Sequence, residues 1–335
     1  MLTTRKLAAS KFATAVAAGL LLTVTACSSQ GGAQNAPGAS GGSGGDPTGP
    51  SFTIAMVTHE APGSTFWDRI RAGAEQAAEQ HGIELKYSND PDSGKQATLI
   101  QNAIDSQVDG IAVTLANADA VGPALQKATE AGIPGVVFNG GIDVYQQYGA
   151  SMFFGSDESL AGQSAGQRLA QETPGGKALC VVHEQGNTSL ETRCAGVKQG
   201  LANTENLQVN GQDLPSVQQT IQAKLAQDTS ITDIVTLDAG IAGAAVQAQD
   251  AAGTSAKIVT FDLSPEVVQA IKDKKIEFSV DQQPYLQGYL AVDSLWLQLS
   301  NGNDIGGGKA TLTGPSFVDS TNIEKVAGYA ANNTR

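Results

Sequence analysis

Two short segments of this 335-residue chain have the residue types of catalytic motifs. Residues 162–166 read G-Q-S-A-G and match the G-x-S-x-G motif, in which a strand-turn-helix junction exposes a nucleophilic serine. Here the motif lies inside a helical pattern, so its serine has no such junction. Residues 306–309 read G-G-G-K, but Asn303 stands where a phosphate-binding loop has its first glycine, and Ala310 stands where it has serine or threonine. Neither segment predicts an enzyme.

Cys27 is a further residue that could carry chemistry, and the segment before it has the pattern of an export signal. A basic N-terminus precedes the apolar run of residues 12–26, which is too short for a membrane-spanning helix of about 20 residues but has the length of a secretory signal. Small residues before Cys27 make the segment similar to the bacterial lipobox, whose thiol is lipidated. We therefore predict a lipoprotein signal peptide at 1–26 and a lipid-anchored Gly/Ser-rich linker at 27–50. An ordinary signal peptide with an incidental cysteine is the alternative.

If Cys27 carries lipid, Cys180 and Cys194 remain. Outside the cytoplasm an even pair favours a disulfide, which would stabilise the fold by about 3 kcal/mol in the chain-entropy model. Two buried free thiols are the alternative. No cysteine and histidine cluster has the spacing of metal ligands, so we predict neither a metal site nor a cofactor.

The net charge of the chain narrows the choice of partners. The formal charge is −13 at pH 7, and an acidic protein repels both nucleic-acid phosphates and anionic lipid. We therefore expect no nucleic-acid partner, and we expect the link to the membrane to be covalent.

The rest of the chain alternates short apolar runs with helical patterns. The runs occur at residues 52–57, 83–87, 110–115, 135–138, 178–182, 233–237, 257–261 and 277–280. This alternation predicts an α/β fold with parallel sheets covered on both faces. The strands are too many for one such sheet, so we expect two similar lobes, with a crossing near residues 154–157 and a return near 282–284. Ligands bind beyond the carboxyl ends of such strands, so the loops there should form the site.

Three segments carry a resemblance to a known family: MVTHEAPGSTFWDRIRAGAEQAAEQHGIEL (56–85), GNTSLETRCAGVKQGL (186–201) and KIVTFDLSPEVVQAIKDKKIEFSVDQQPYLQGYLAVDSLWL (257–297). They resemble the periplasmic sugar-binding proteins of ABC importers, in the ribose/galactose-binding group whose fold is shared with LacI-type regulators. The resemblance covers about residues 52–320. It implies two Rossmann-like, doubly wound lobes joined by a three-strand hinge, the type I periplasmic binding protein fold. The implied lobes comprise 51–155 plus 284–312, and 156–283 plus 313–330.

The resemblance also implies a ligand site between the lobes. Its residues would be His59, Ser64, Phe66, Trp67, Asn139, Arg193, Asp238, Asp262 and Gln282. Aromatic side chains can cover the C–H faces of a sugar, while an arginine fork and carboxylates bind its hydroxyls. The ribose-binding pattern has Asp-Arg where this chain has Asn139-Gly140, so the pocket should differ from one for ribose.

Seven of these residues also have a structural interpretation. Trp67 could belong to the core of the first helix, His59 to the hinge, and Arg193 to a surface salt bridge. For the others the alternative is helix capping or turn formation, namely for Ser64, Asp238, Asp262 and Gln282. If Arg193 binds ligand, Arg193→Ala should abolish binding and leave the melting temperature of the ligand-free protein nearly unchanged.

The resemblance implies binding without catalysis. We expect a monomeric lipoprotein on the extracytoplasmic face of a bacterial membrane that binds a monosaccharide or small polyol and delivers it to an ABC permease and its ATPase. A receptor for a sugar-like signal, such as an autoinducer or a chemotaxis ligand, is the alternative. A LacI-type regulator would need an N-terminal helix-turn-helix, where this chain has a signal and a linker instead.

Overall fold

The computed structural model describes residues 51–335. The predicted signal peptide, the lipidation of Cys27 and the linker lie outside the described residues. The elements follow in the order β1 (Thr53–Thr58), α1 (Thr65–His81), β2 (Glu84–Asn89), α2 (Ser93–Asp105), β3 (Gly110–Val113), α3 (Ala118–Glu130), β4 (Gly135–Asn139), a 3-10 turn (Tyr145–Tyr148), β5 (Met152–Gly155), α4 (Glu158–Glu172), β6 (Ala178–Val182), α5 (Thr188–Gly200), β7 (Thr204–Gln208), α6 (Leu214–Gln227), β8 (Asp233–Thr236), α7 (Ala239–Ala252), β9 (Lys257–Phe261), α8 (Pro265–Lys272), β10 (Phe278–Asp281), α9 (Pro284–Asn301), β11 (Thr311–Leu312), β12 (Ser316–Asp319) and α10 (Ile323–Ala331).

The strands form two six-stranded sheets. The first has the order β11-β5-β4-β3-β1-β2, and all its neighbouring strands are parallel. The second has the order β12-β10-β9-β8-β6-β7, and only β12 runs antiparallel to its neighbour. We call each sheet with the helices packed on it the first and the second lobe. This arrangement confirms the predicted α/β fold with two doubly wound lobes.

Both faces of each sheet are buried, as the continuous apolar strands predict. In β1, Ile54 and Met56 pack with α1 and α9 on one face, while Ala55 and Val57 pack with α2 and α3 on the other. Successive side chains of a strand point to opposite faces, so one apolar run serves two cores. The second lobe has two such cores as well.

The chain passes between the lobes three times. The connections lie between β5 and α4, between β10 and α9, and between β11 and β12. The first two fall where the sequence predicted a crossing and a return. The predicted boundaries of the lobes stay a prediction at the level of single residues.

The eight predicted strands all occur, within two residues at either end. Four further strands, β5, β7, β11 and β12, were missed. β7 reads TENLQ and lies at a sheet edge, where alternate side chains reach solvent. β11 has only two residues, so its pairing with β5, rather than its own pattern, defines it.

Candidate functional site

The nine residues predicted to contact ligand all line one pocket, which also includes His183, Glu184, Asn187, Ser189, Leu190 and Leu237. It contains about 400 Å³ of empty space, counting the part open to solvent. Five of the predicted side chains lie at or just beyond the ends of β1, β4, β8, β9 and β10. The carboxyl ends of both parallel sheets therefore face the same cleft, as the topology requires.

Aromatic side chains form the wall contributed by the start of α1. The rings of Phe66 and Trp67 meet edge to face, with centroids 5.2 Å apart, and the His59 ring lies edge-on to Trp67 at 4.7 Å. Both aromatic residues also belong to the core of the first lobe. Trp67 therefore belongs to the core of the first lobe and also lines the pocket. Ser64 precedes α1 and its side chain caps no backbone N–H of that helix.

Arg193 projects from α5 and is buried, with only 3% of its surface exposed. Its Nε donates to Glu158 Oε2 at 2.6 Å, its Nη1 donates to the Leu237 carbonyl oxygen at 3.2 Å, and its guanidinium lies 4.5 Å from the centre of the Phe261 ring. Burial lowers the pKa of Arg193, but the Glu158 carboxylate outweighs that effect and the pKa is raised overall. These contacts fix the guanidinium in one orientation.

The buried pair with Glu158 changes what the sequence led us to expect. A surface salt bridge is excluded for Arg193, because both partners are buried. The prediction that Arg193→Ala would leave the stability nearly unchanged is therefore wrong on physical grounds, since the change leaves a buried carboxylate without its cation.

Asp262 follows β9 with a left-handed backbone, φ 66°. Its Oδ1 accepts a hydrogen bond from Gln282 Nε2 at 2.9 Å. Burial raises the pKa of the Asp262 carboxyl to about 8, while Arg193 opposes the shift and Asp238 adds to it. Near neutral pH this carboxyl can therefore donate as well as accept a hydrogen bond. Ser264, rather than Asp262, caps the helix that follows.

Asp238 has a capping role in addition to its place in the pocket. Its Oδ1 accepts hydrogen bonds from Gly240 N at 2.7 Å and Ile241 N at 3.2 Å, at the start of α7. The capping interpretation is therefore correct for Asp238, and Oδ2 is the oxygen left for a ligand. These two bonds hold the carboxylate in position at the pocket wall.

A buried glutamine, Gln287, links pocket residues from the two lobes. Its Nε2 donates to Gln282 Oε1 at 3.2 Å, and its Oε1 accepts from Asn139 Nδ2 at 3.3 Å. Asn139 ends β4 with φ 62°. These hydrogen bonds orient the amides of Asn139 and Gln282.

Four polar residues of the pocket were missed by sequence reasoning: His183, Glu184, Asn187 and Ser189. They lie in the β6–α5 loop and at the first residues of α5. Asn187 caps α5 by accepting from Ser189 N at 3.1 Å and Leu190 N at 3.4 Å. The sequence did contain a signal for His183, because this residue directly follows β6, just as His59 and Asp262 directly follow β1 and β9.

The disulfide and the G-x-S-x-G segment both serve to position α5. Cys180 in β6 and Cys194 in α5 are joined by a disulfide, as predicted, with Cα atoms 5.9 Å apart. Gly162 lies where a Cβ would overlap the Arg193 carbonyl oxygen, so α4 and α5 pack at close range. Ser164 only donates to the Leu160 carbonyl of its own helix, at 2.7 Å.

Two features of residues 51–335 bear on metals and membranes. No group of three or more histidine, cysteine or acidic side chains in this range is arranged to hold a metal ion. In the same range, no helix has the length and apolar character needed to cross a membrane.

Comparison with known proteins gives concordant matches. A family model described as periplasmic binding protein domain matches residues 54–304. A carbohydrate transporter from Acidothermus cellulolyticus 11B, solved in complex with myo-inositol, is 52% identical, with a TM-score of 0.84, and the match covers 85% of this chain and 100% of that one. The xylose/arabinose-binding protein XylF of Sulfolobus acidocaldarius is 25% identical over 298 residues, covering 83% of this chain and 73% of its own. The ribose import binding protein RbsB of Bacillus subtilis is 24% identical over 251 residues, covering 72% and 80%.

Proposed function

Because this chain belongs to the periplasmic binding protein domain family, we propose that it is the solute-binding protein of an ABC importer, which binds a small neutral sugar or polyol between its lobes and delivers it to a membrane permease. The observation that carries the proposal is the composition of the pocket. It combines an aromatic wall with fixed arginine, carboxyl and amide groups, which is the combination a ligand with apolar C–H faces and many hydroxyls requires.

Among such ligands, myo-inositol is the first candidate. The relative solved with myo-inositol is 52% identical to this chain, and this ligand is uncharged with a hydroxyl on every ring carbon. Phe66 would cover one C–H face, while Arg193, Asp238, Asp262 and Gln282 would bind hydroxyls. A ligand that lacks one of these hydroxyls would leave a buried polar group unpaired, at a cost of about 1–3 kcal/mol.

We also propose that the protein acts by binding alone, as a monomer tethered through lipid on Cys27. The anchor would raise the local concentration of the receptor near its permease and ATPase. Wild-type protein should then partition with membranes, and Cys27→Ala should release it, whereas Ser28→Ala should not. A Cys27→Ala protein that is still firmly held in the membrane would refute the proposed lipid anchor.

Isothermal titration calorimetry and a thermal-shift screen of the purified full-length protein test the ligand class. The panel comprises myo-inositol and its stereoisomers, pentoses, hexoses and linear polyols, with amino acids and short peptides as comparison. We expect binding within the sugar and polyol set, lost in Asp262→Ala and retained in Asp304→Ala, which changes an exposed aspartate. Binding to amino acids or peptides, with none to sugars or polyols, would refute the proposal.

A further inference from the structure

The first residues of α5 contact the first lobe directly across the cleft. Thr188 donates from its backbone N to the Ala116 carbonyl oxygen at 3.2 Å, and from Oγ1 to the same oxygen at 3.1 Å. Ala116 belongs to the first lobe, in the connection between β3 and α3, while Thr188 begins a helix of the second lobe. Thr188 is exposed and does not line the pocket.

The two neighbours of Thr188 in the chain, Asn187 and Ser189, also approach the first lobe. Asn187 Nδ2 lies 3.5 Å from His59 Nε2, at the end of β1. His59 Nδ1 lies 2.7 Å from Thr114 Oγ1, so both ring nitrogens have polar neighbours. On the other side, Ser189 Oγ lies 3.0 Å from the position that a Cβ on Gly140 would occupy. Residues 187, 188 and 189 thus each meet a different segment of the first lobe.

We propose that residues 187–189 form a latch that holds the lobes closed over the ligand, and that Thr188 is a positioning residue that raises affinity without touching the ligand. The latch rests on the proposed function, because closure over a sugar or polyol is what it would stabilise. Its contacts join the lobes only while the cleft is closed, so the latch acts chiefly on the rate of ligand release.

Gly140 gives the latch its close fit. A Cβ there would also lie 3.3 Å from Ala116 N, so a side chain would press on both the first lobe and Ser189. The backbone of Gly140 is not in the left-handed region, so alanine adds bulk there without backbone strain. Gly140→Ala should therefore hinder closure by steric contact, in contrast to the loss of hydrogen bonds at Thr188.

Thr188→Pro is the sharpest test, because it removes both donors at once. Thr188 is the first residue of α5, where proline is well tolerated, and the preceding residue has φ −80° and ψ 102°, which suits a residue before proline. Ser93→Pro is the matched control. Ser93 likewise begins a helix, after a residue with φ −78° and ψ 116°, and it lies outside the pocket.

We would measure the myo-inositol Kd and the dissociation rate by Trp fluorescence in stopped flow, with the melting temperature of each ligand-free variant. We expect Thr188→Pro to weaken binding about tenfold, mainly through faster dissociation, and Thr188→Val to weaken it about threefold. Thr188→Ser, which keeps both donors, should bind as wild type, and so should Ser93→Pro. Wild-type binding by Thr188→Pro, or an equal loss in Ser93→Pro, would overturn the latch.

A ligand-independent readout separates the latch from the proposed function. Spin labels on cysteines introduced at Asp119 and Ser216, one exposed residue on each lobe, report the distance across the cleft by double electron–electron resonance. Thr188→Pro and Gly140→Ala should each shift the ligand-free distribution toward longer distances. If wild type binds no sugar or polyol, the proposed function is refuted. The latch is supported if the distances become longer in these variants, and it is refuted if they do not change.

Discussion

The buried ion pair between Arg193 and Glu158 makes a quantitative prediction about stability. Arg193→Ala removes the Nε donor 2.6 Å from Glu158 Oε2 and leaves a carboxylate that is 4% exposed, whose other oxygen, Oε1, has no hydrogen-bond partner in residues 51–335. Breaking a buried pair from one side costs about 3–5 kcal/mol. A loss of this size lowers the melting temperature of a protein of this size by about 10 °C.

Removing both charges together should cost much less. The double variant Arg193→Met, Glu158→Gln removes both charges of the pair, and replacing such a pair by neutral groups is often close to neutral in free energy. We expect most of the stability lost in Arg193→Met to return in the double variant, which corresponds to a coupling energy of about 2–3 kcal/mol. Ligand binding should be lost in both, because neither retains the guanidinium.

Arg168 provides a matched control in the same lobe. It also stacks on an aromatic ring, 4.2 Å from the centre of Phe278, and pairs with Glu172 at 2.7 Å and Asp319 at 2.9 Å. Its side chain is 26% exposed, so solvent screens its charge. Arg168→Ala should therefore cost at most about 1 kcal/mol.

Urea denaturation followed by circular dichroism at pH 7, together with calorimetric melting, measures these differences. If Arg193→Ala melts within about 2 °C of wild type, the assignment of a buried, uncompensated charge is refuted. The same holds if Arg168→Ala loses as much stability as Arg193→Ala.

Three further predictions concern stability and the placement of α5. Asp262→Asn should gain stability relative to wild type as the pH rises from 5 to 8. The pKa of Asp262 is raised to about 8 in the folded protein, so the folded carboxyl keeps its proton after the unfolded one has released it near pH 4. Wild type therefore loses up to about 1.4 kcal/mol of stability per pH unit in this range, whereas the asparagine variant does not. A melting-temperature gap that is constant over this range would contradict it. Reducing the disulfide, which joins residues separated by 14 positions, should destabilise the protein by about 3 kcal/mol, whereas Cys180→Ala, Cys194→Ala should melt alike with and without reductant. Gly162→Ala should weaken ligand binding, because it displaces the helix that carries Arg193, while Ser164→Ala should have no effect; calorimetric titration with myo-inositol distinguishes them.

The sequence was sufficient to predict nine of the residues that line the pocket. Phe261 and Thr236 end buried strands, and parallel strands share one edge, so Asp262 and Asp238 had to lie on the same side of a sheet. The resemblance supplied Arg193 and the aromatic pair. Placing Asp262 and Asp238 at one edge needed only the order of the elements and the direction of the strands.

Contacts between distant segments could not be derived in the same way. Glu158 lies 35 residues before Arg193, and its partnership depends on the packing of α4 against α5. Thr188 and Ala116 belong to different lobes and meet only through the packing of the lobes, and neither is unusual in its local pattern. Strand β11 likewise exists through its pairing with β5. Local periodicity carries no information on such contacts.

The left-handed backbone at Asn139 and Asp262 limits how this receptor can change its ligand. At φ 62° and 66°, asparagine, aspartate and glycine are tolerated, whereas bulky or β-branched side chains are strained. A library that randomises both positions would therefore yield few folded variants beyond these three residue types. Phe66 and Gln282 have φ outside the left-handed region and carry no such restriction. New specificity, in evolution or in design, should thus arise by exchanging side chains at these positions, while the two strand ends keep a short polar group.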